Sequence, residues 1–239
     1  MKYSALVPVK SLGFAKSRLA AHFSQHQREM LVLDMLRHVI QTLGDSDMFE
    51  QVYVVSADAR VLELALQWGA EALRETQTGH NPALQAAALT IMARAAWRAG
   101  LYSTWLALTQ SSASQTLPEQ LVLQALHQEA LLTISADLPL LTQEDIAQLA
   151  CQAESAQVVL AASSDGTGTN ALLARPPLVL PYLFGQNSLP TYVRAARERQ
   201  LSYAVYRNAR LGFDVDTPDD VRQLEQTEPS RFALAGSAI

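Results

Sequence analysis

An α/β sandwich around a largely parallel sheet is the fold this sequence predicts, and three observations predict it. Strand-like and helix-like segments alternate along most of the chain, the pattern of parallel strands joined by covering helices. Several strand-like segments are continuous apolar runs, as strands buried on both faces should be. The chain has 239 residues, of which 49% are hydrophobic, enough to bury one core. A single domain over residues 1–226 is therefore expected, with an insertion at about 100–118 and a C-terminal tail over 227–239.

The first strand is expected over residues 3–9. Ser24 then caps a helix whose apolar residues Leu33, Leu36, Ile40 and Leu43 fall at steps of three and four, with Gly44 placed as a left-handed terminator. Residues 51–55 form a buried-type strand, 61–68 a short helix closed by Gly69, and 83–99 an Ala-rich helix closed by Gly100. A strand over 131–135 runs into Ala136-Asp137, and Thr142 with Asp145 reads as a capping box opening the next helix. Further strands are expected at 158–162 and 203–207. Thr217-Pro218-Asp219-Asp220 opens the last helix, with Pro at its first position and acids in its first turn. Residues 100–118 hold no steady period, and the tail either frays or packs on a neighbouring subunit of a homodimer.

Composition excludes several classes. Charged residues make up 17% and the net charge is -5, so there is no basic field for a nucleic acid. No segment approaches the ~20 uninterrupted apolar residues of a membrane span. Cys151 is the single cysteine, and the apolar start is broken at once by Pro8 and Lys10, unlike a secretory signal. A cytoplasmic protein without a nucleic-acid or membrane partner is expected.

Ligands of open α/β sheets sit beyond the carboxyl ends of strands, so the residues that follow the expected strands carry the functional argument. After the first come Lys10, Gly13, Lys16 and Arg18, whose cations can neutralise a triphosphate while backbone N–H groups around Gly13 cradle it. The run lacks the ending of a Walker loop, and a solvated basic loop accounts for it equally. Asp137 can ligate Mg²⁺, a hard cation held by one or two carboxylates with ligand phosphates, or can be a turn aspartate. Asp214 and Asp216 fall on one side of an extended segment, where they repel unless a cation lies between them; a polar strand end before a capped helix is the alternative. Asp219 and Asp220 are first-turn acids outside the site. Gly166, Gly168 and Thr169, followed by Gly185 and Ser188, let backbone and hydroxyls meet an anion, or form a plain turn and helix cap. The histidines show no zinc spacing, Cys151 reads as a small core residue, and Trp68, Trp97 and Trp105 read as packing.

In their order these segments resemble the 2-phospho-L-lactate and phosphoenolpyruvate guanylyltransferases, which make the phospho-acid arm of the deazaflavin coenzyme F420. The matching pieces are Val7-Pro8-Val9-Lys10, Ala15-Lys16-Ser17-Arg18-Leu19, Asn81 with Ala83-Leu84, Ala136-Asp137-Leu138-Pro139, Gly168-Thr169-Asn170, Phe184-Gly185 with Ser188, and Asp214 to Asp220. The resemblance implies a Rossmann-like nucleotidyltransferase sandwich with a mostly parallel mixed sheet. It implies metal ligation by Asp137, Asp214 and Asp216, with Mg²⁺ or Mn²⁺ as cofactor, and acceptor contacts from Thr169, Gly185 and Ser188. It also implies nucleotide contacts that include Asn81, and a preference for guanine. The chain departs from the pattern at Leu189-Pro190-Thr191-Tyr192, where relatives more often carry an aromatic and a His, and in its longer 100–118 segment.

The implied reaction is attack of an acceptor phosphate oxygen on the α-phosphorus of GTP, with diphosphate leaving. It needs positioning and charge neutralisation, with Lys10 at the chemical step and Lys16 and Arg18 on the triphosphate. A phosphate monoester is already mostly dianionic near pH 7, so no general base is required. Phosphoenolpyruvate ranks first as acceptor, then 2-phospho-L-lactate, then 3-phospho-D-glycerate. A sugar-phosphate or molybdopterin nucleotidyltransferase and a non-catalytic nucleotide-binding regulator are the rivals. The carboxylates argue against the regulator, since buried unpaired acids are costly.

Overall fold

A computed structural model of the chain describes residues 2–103, 106 and 129–229. Most of the expected 100–118 insertion, Trp105 included, and residues 230–239 of the tail lie outside them. The elements run β1 (Lys2–Val9), α1 (Gln25–Gly44), β2 (Phe49–Ser56), α2 (Ala59–Gln67), β3 (Glu71–Arg74), α3 (His80–Arg98) and β4 (Glu129–Ile134). They continue with α4 (Gln143–Ser155), β5 (Val158–Ala162), β6 (Thr169–Ala174), α5 (Ser188–Glu198), β7 (Tyr203–Tyr206), α6 (Ala209–Gly212) and α7 (Pro218–Thr227). Two 3₁₀ turns, Leu12–Phe14 and Ser17–Leu19, shape the loop after β1.

The strands form one seven-stranded sheet in the order β3-β2-β1-β4-β6-β5-β7. Every pair is parallel except the two made by β6, which runs antiparallel to both β4 and β5. The β5–β6 connection is too short for a covering helix, so these strands form a hairpin. The sheet is thus mostly parallel and mixed, as expected.

Alternation along the strands divides the core in two. Ala5, Val7 and Val9 of β1 and Leu132 and Ile134 of β4 pack on one face, against Leu36 and Ile40 of α1, Val61 of α2, Leu149 of α4 and Leu224 of α7. Leu6 and Leu131 point to the other face, against Leu84 and Ile91 of α3 and Tyr192 of α5. Each fully buried aliphatic side chain contributes about 1.5–3 kcal/mol relative to exposure, so both faces hold the strand ends rigidly. The chain moves from β1 to β2 to β3 with its helices on the first face, then returns through α3 on the second face to β4, on the other side of β1. The β1/β4 crossing is therefore a topological switch point, where an open α/β sheet leaves its ligand crevice.

The expected helix starts hold: Ser24 with Gln27, Thr142 with Asp145 and Thr217 with Asp220 each form a complete capping box. Gly69 and Gly100 adopt positive φ of 88° and 71°. Gly44 does not terminate α1 in that way. It is the last helical residue, and the chain leaves through Asp45 in a right-handed conformation whose N–H reaches Gln41 O at 2.8 Å. Strands β3 and β6 were not expected, and residues 213–216 are extended without pairing into the sheet. Cys151 is exposed on α4 rather than in the core. Trp97 is 69% exposed and touches the ring of Tyr102, so it is not core packing either.

Candidate active site

The site is built where β1 and β4 end side by side. Past β1, Lys16 takes a left-handed conformation at φ 50° and ψ 46°, a costly backbone for a lysine that turns the chain between the two 3₁₀ turns. Two contacts from outside pin this loop. The Leu12 N–H donates to Asp58 Oδ2 at 3.0 Å, and Arg28 Nη1 donates to Ala15 O at 2.9 Å. The buried Arg28 Nε has no hydrogen-bond partner among the described residues.

The Lys16 side chain, only 8% exposed, reaches across to the loop after β4 and to the extended segment before α7. Its ammonium donates to Asp137 Oδ2 and, at 2.9 Å, to Asp216 Oδ1. Arg18, largely exposed, donates to Asp216 Oδ2 at 3.1 Å. Burial alone would push the Lys16 pKa down, but the charges of Asp137 and Asp216 outweigh it and hold the group above its ordinary value. Asp216 is opposed by burial as well, yet Lys16, Arg18 and Lys10 keep its carboxyl below the ordinary range. Asp214 behaves differently. Burial first, and then the neighbouring charges of Asp137 and Asp216, push its pKa up, while Asn170 Nδ2 donates to its Oδ1 at 3.4 Å.

These groups face a cavity of about 420 Å³ whose lining includes Pro8, Lys10, Lys16, Arg18, Asp137 and Asp216. Lys10 lines it without an ion pair to any carboxylate among the described residues, so Lys16, not Lys10, is the cation at the centre. Gly13 is exposed and does not line the cavity, and nor does Asp214. The expected trio of carboxylates does not close into a cage: among the described residues no group of three or more His, Cys, Asp or Glu side chains is arranged to hold a metal ion. The donor set still fits Mg²⁺. That ion needs one or two carboxylates with ligand phosphates and water, and Asp137 and Asp216 already converge on one cationic centre, the Lys16 ammonium.

The acceptor residues expected from the sequence form a second group. The β5–β6 turn is closed by Asp165, which accepts from Ser163 Oγ at 2.6 Å and Thr167 Oγ1 at 2.7 Å. Thr169 begins β6 and is buried, with its Oγ1 left without a hydrogen-bond partner among the described residues. Ser188, 2% exposed, is the first residue of α5, and the next N–H, of Leu189, donates to Thr167 O at 3.0 Å and stitches the two segments together. Gly185 has φ 140°, a backbone that a side chain would strain although nothing crowds it. The departure at residues 189–192 is mainly packing: Leu189 and Tyr192 are buried, and the Tyr192 hydroxyl accepts from Leu183 N at 2.8 Å. Asn81 belongs to this group rather than to the nucleotide loop. Its amide donates to Phe184 O at 2.9 Å and accepts from Phe184 N at 3.0 Å, which fixes the turn that carries Gly185.

Residues not singled out in the sequence also meet here. His80, at the start of α3, lines the cavity and packs edge-on against Phe184 at 5.8 Å; partial burial and Lys10 lower its pKa, so it is neutral near pH 7. Ser135 follows β4 and lines the cavity, whereas Asp58 follows β2 and anchors the loop through Leu12, and Glu75 follows β3 and lines an adjoining cavity. The rule of residues following strands finds Asp58 from the sequence, but Glu75 needs β3, a strand of four residues with no clear pattern.

Comparison with known proteins agrees with this architecture. A crystal structure from Desulfovibrio desulfuricans G20, described provisionally as a nucleotide-diphospho-sugar transferase, superposes with a TM-score of 0.67. It covers 98% of this chain and 94% of its own at 15% identity, which speaks for the fold alone. A phosphoenolpyruvate guanylyltransferase of Rubrobacter xylanophilus is 34% identical over 226 residues, covering 94% of each chain. A 3-phospho-D-glycerate guanylyltransferase of Colwellia psychrerythraea is 28% identical over 224 residues, covering 94% of this chain and 91% of its own. A family model described as "Guanylyl transferase CofC like" matches residues 3–96 and 109–226. With the switch-point cavity, the paired aspartates Asp137 and Asp216 and this match over most of its length, the chain belongs to the CofC-like guanylyl transferase family and is a nucleotidyltransferase.

Proposed function

We propose that the protein transfers GMP from GTP to phosphoenolpyruvate, releasing diphosphate, in the synthesis of coenzyme F420. The observation that carries the reading is the Lys16 ammonium shared by Asp137 and Asp216 at the mouth of a cavity that Lys10 and Arg18 also line. A buried, fixed cation between two carboxylates suits a reaction in which anionic oxygens must approach one another. Lys10, Lys16 and Arg18 draw in the triphosphate and offset its charge as the diphosphate departs. Asp137 and Asp216 hold Mg²⁺, with Mn²⁺ able to replace it. When bound, the ion supplies charge neutralisation on phosphate oxygens.

On the acceptor side the Thr169 hydroxyl, the Gly185 backbone and the Ser188 hydroxyl offer compact donors. Phosphoenolpyruvate and 2-phospho-L-lactate carry phosphate and carboxylate on one carbon, which suits such a short arrangement; the longer 3-phospho-D-glycerate fits it less well. The acceptor phosphate needs no proton removed, because its second pKa of about 6 leaves it largely dianionic.

The Colwellia relative favours a second reading, with 3-phospho-D-glycerate as acceptor. Supplying the purified protein with GTP, Mg²⁺ and equal concentrations of the three acids, with a separate arm holding a sugar phosphate, and following diphosphate release and the products by mass spectrometry, separates the readings. A phosphoenolpyruvate adduct should dominate. A dominant phosphoglycerate adduct overturns the first reading in favour of the second, and release of diphosphate only with a sugar phosphate overturns both.

A further inference from the structure

A second cavity, of about 300 Å³, adjoins the charged one and shares Pro8, Val9, Lys10, Phe14 and His80 with it. Its character is different. Val55, Ala57, Ala83 and Leu84 make an apolar wall at the ends of β2 and α3, and Glu75 is the one carboxylate in its lining among the described residues. Glu75 is half-buried and follows β3, with its own N–H fixed on Ser56 O at 2.9 Å. Its carboxylate pairs with no side chain among the described residues. Phe14 lines both cavities and is 83% exposed, so its ring is open to stack on a flat ligand lying between them.

We propose that this second cavity holds the base of the donor nucleotide and that Glu75 is the residue that selects guanine. The inference rests on the guanylyl-transfer reading. Charge decides which ligand goes where. The triphosphate and the phospho-acid are polyanions, which the carboxylate and apolar wall repel, whereas an uncharged heterocycle matches a mostly apolar pocket with one polar group. The edge chemistry then picks the base. Guanine presents two adjacent donors, N1–H and the N2 amino group, which a carboxylate can accept together. Adenine and cytosine present a ring-nitrogen acceptor at the corresponding position, and uracil flanks its single N–H with two carbonyl oxygens, so each places a lone pair against the Glu75 oxygens. Phe14 stacks on the base, and the shared Lys10 marks the passage from base to phosphates.

The test uses inosine triphosphate, which keeps N1–H but lacks the N2 amino group. Wild-type protein and Glu75→Ala are compared for kcat/KM with GTP and with ITP, and for equilibrium binding of each nucleotide. Wild type should prefer GTP by roughly tenfold or more, since a site built to bond a polar group rejects the analogue that lacks it. In Glu75→Ala the preference should collapse towards unity through a raised KM for GTP, with the KM for phospho-acid unchanged. Glu75→Gln, which keeps the shape but only one acceptor atom, should fall between the two. A GTP/ITP ratio that is the same in wild type and Glu75→Ala, in turnover and in binding, overturns the assignment while leaving guanylyl transfer intact. Failure of wild type to turn over GTP with any acceptor overturns guanylyl transfer, and the binding ratio still judges Glu75 by itself.

Discussion

The loop after β1 and the turn between β5 and β6 satisfy their polar groups in opposite ways. The first is made of charge, and its charges have already found one another: Lys16 bonds two aspartates and Arg18 one. The second is a set of hydroxyls and backbone N–H groups gathered on one carboxylate, Asp165, and Thr169 Oγ1 beyond it is buried with no hydrogen-bond partner among the described residues. Charged groups of both signs can satisfy each other before a ligand arrives. A lone buried hydroxyl cannot, and leaving it unpaired costs about 1–3 kcal/mol. One region therefore holds its polar groups in ion pairs, the other leaves one as an unmet hydrogen bond.

The largest effect should come from breaking the charged region at its acids. Asp216→Ala or Asp137→Ala is expected to lower kcat/KM for GTP by about 10²–10³-fold, the scale of losing one organised electrostatic contact at a reacting phosphate. Steady-state diphosphate release, with circular dichroism to confirm folding, checks this. Near-normal turnover in both would reduce the pairs to loop anchors. Next comes the choice between two lysines. Lys16→Ala should cost roughly 10–10²-fold in kcat/KM, and Lys10→Ala clearly less, because Lys16 touches both acids and Lys10 touches neither. The reverse order would restore Lys10, the lysine next to the strand end, as the central cation.

The two regions also differ in how far the sequence revealed them. Lys10, Lys16, Arg18 and Asp137 follow strands that hydrophobic runs make visible, and Asp216 lies on an extended segment before a capped helix; position alone marks a candidate site without separating it from a solvated loop or a turn. Their pairing was not visible, because it depends on the left-handed turn at Lys16, which no local residue pattern demands. The acceptor side was half hidden. Gly166-Thr167-Gly168 reads as a turn, and Thr169-Asn170 reads as its continuation, whereas they begin β6, whose identity comes from pairing with β4 and β5. Asn81 shows the same limit. Its two bonds to Phe184 join positions 103 residues apart, and that distance in sequence is closed only by the sheet. Glu75 was missed because β3, four residues long, borrows its strand character from β2.

A third effect sharpens the contrast on the neutral side. Thr169→Val removes the orphaned hydroxyl and keeps the shape. The KM for the phospho-acid should rise by about tenfold with the KM for GTP unchanged, while thermal stability stays level or rises, since an unsatisfied buried group has been deleted. An equal rise in both KM values would show that Thr169 shapes the whole cleft instead of meeting the acceptor.

The smallest kinetic effect is expected from a charge pair of similar construction outside the cavity. Asp145, fully buried at the start of α4, accepts from Arg210 Nη2 at 2.7 Å and Nε at 2.9 Å, and from Asn208 Nδ2 at 2.9 Å. Burial by itself would raise its pKa, but the bonds from Arg210 and Thr142 outweigh it and hold the carboxyl below its ordinary value. A depressed carboxylate stabilises the fold above its unfolded pKa of about 3.9, and that contribution is lost as pH falls through the lower folded value. Asp145→Asn keeps the capping oxygen for Thr142, removes the charge, and turns an amide donor toward the donors Arg210 Nη2 and Asn208 Nδ2. It should lower stability by about 1–3 kcal/mol at pH 7, with turnover per folded molecule unchanged. The gap in melting temperature between wild type and variant should close as the pH is brought below about 4. A gap that persists in acid would assign the loss to packing. A drop in turnover at pH 7 would mean that the Arg210 segment, which leads directly into Asp214, transmits strain to the carboxylates, and the separation between structural and functional charge pairs would fail.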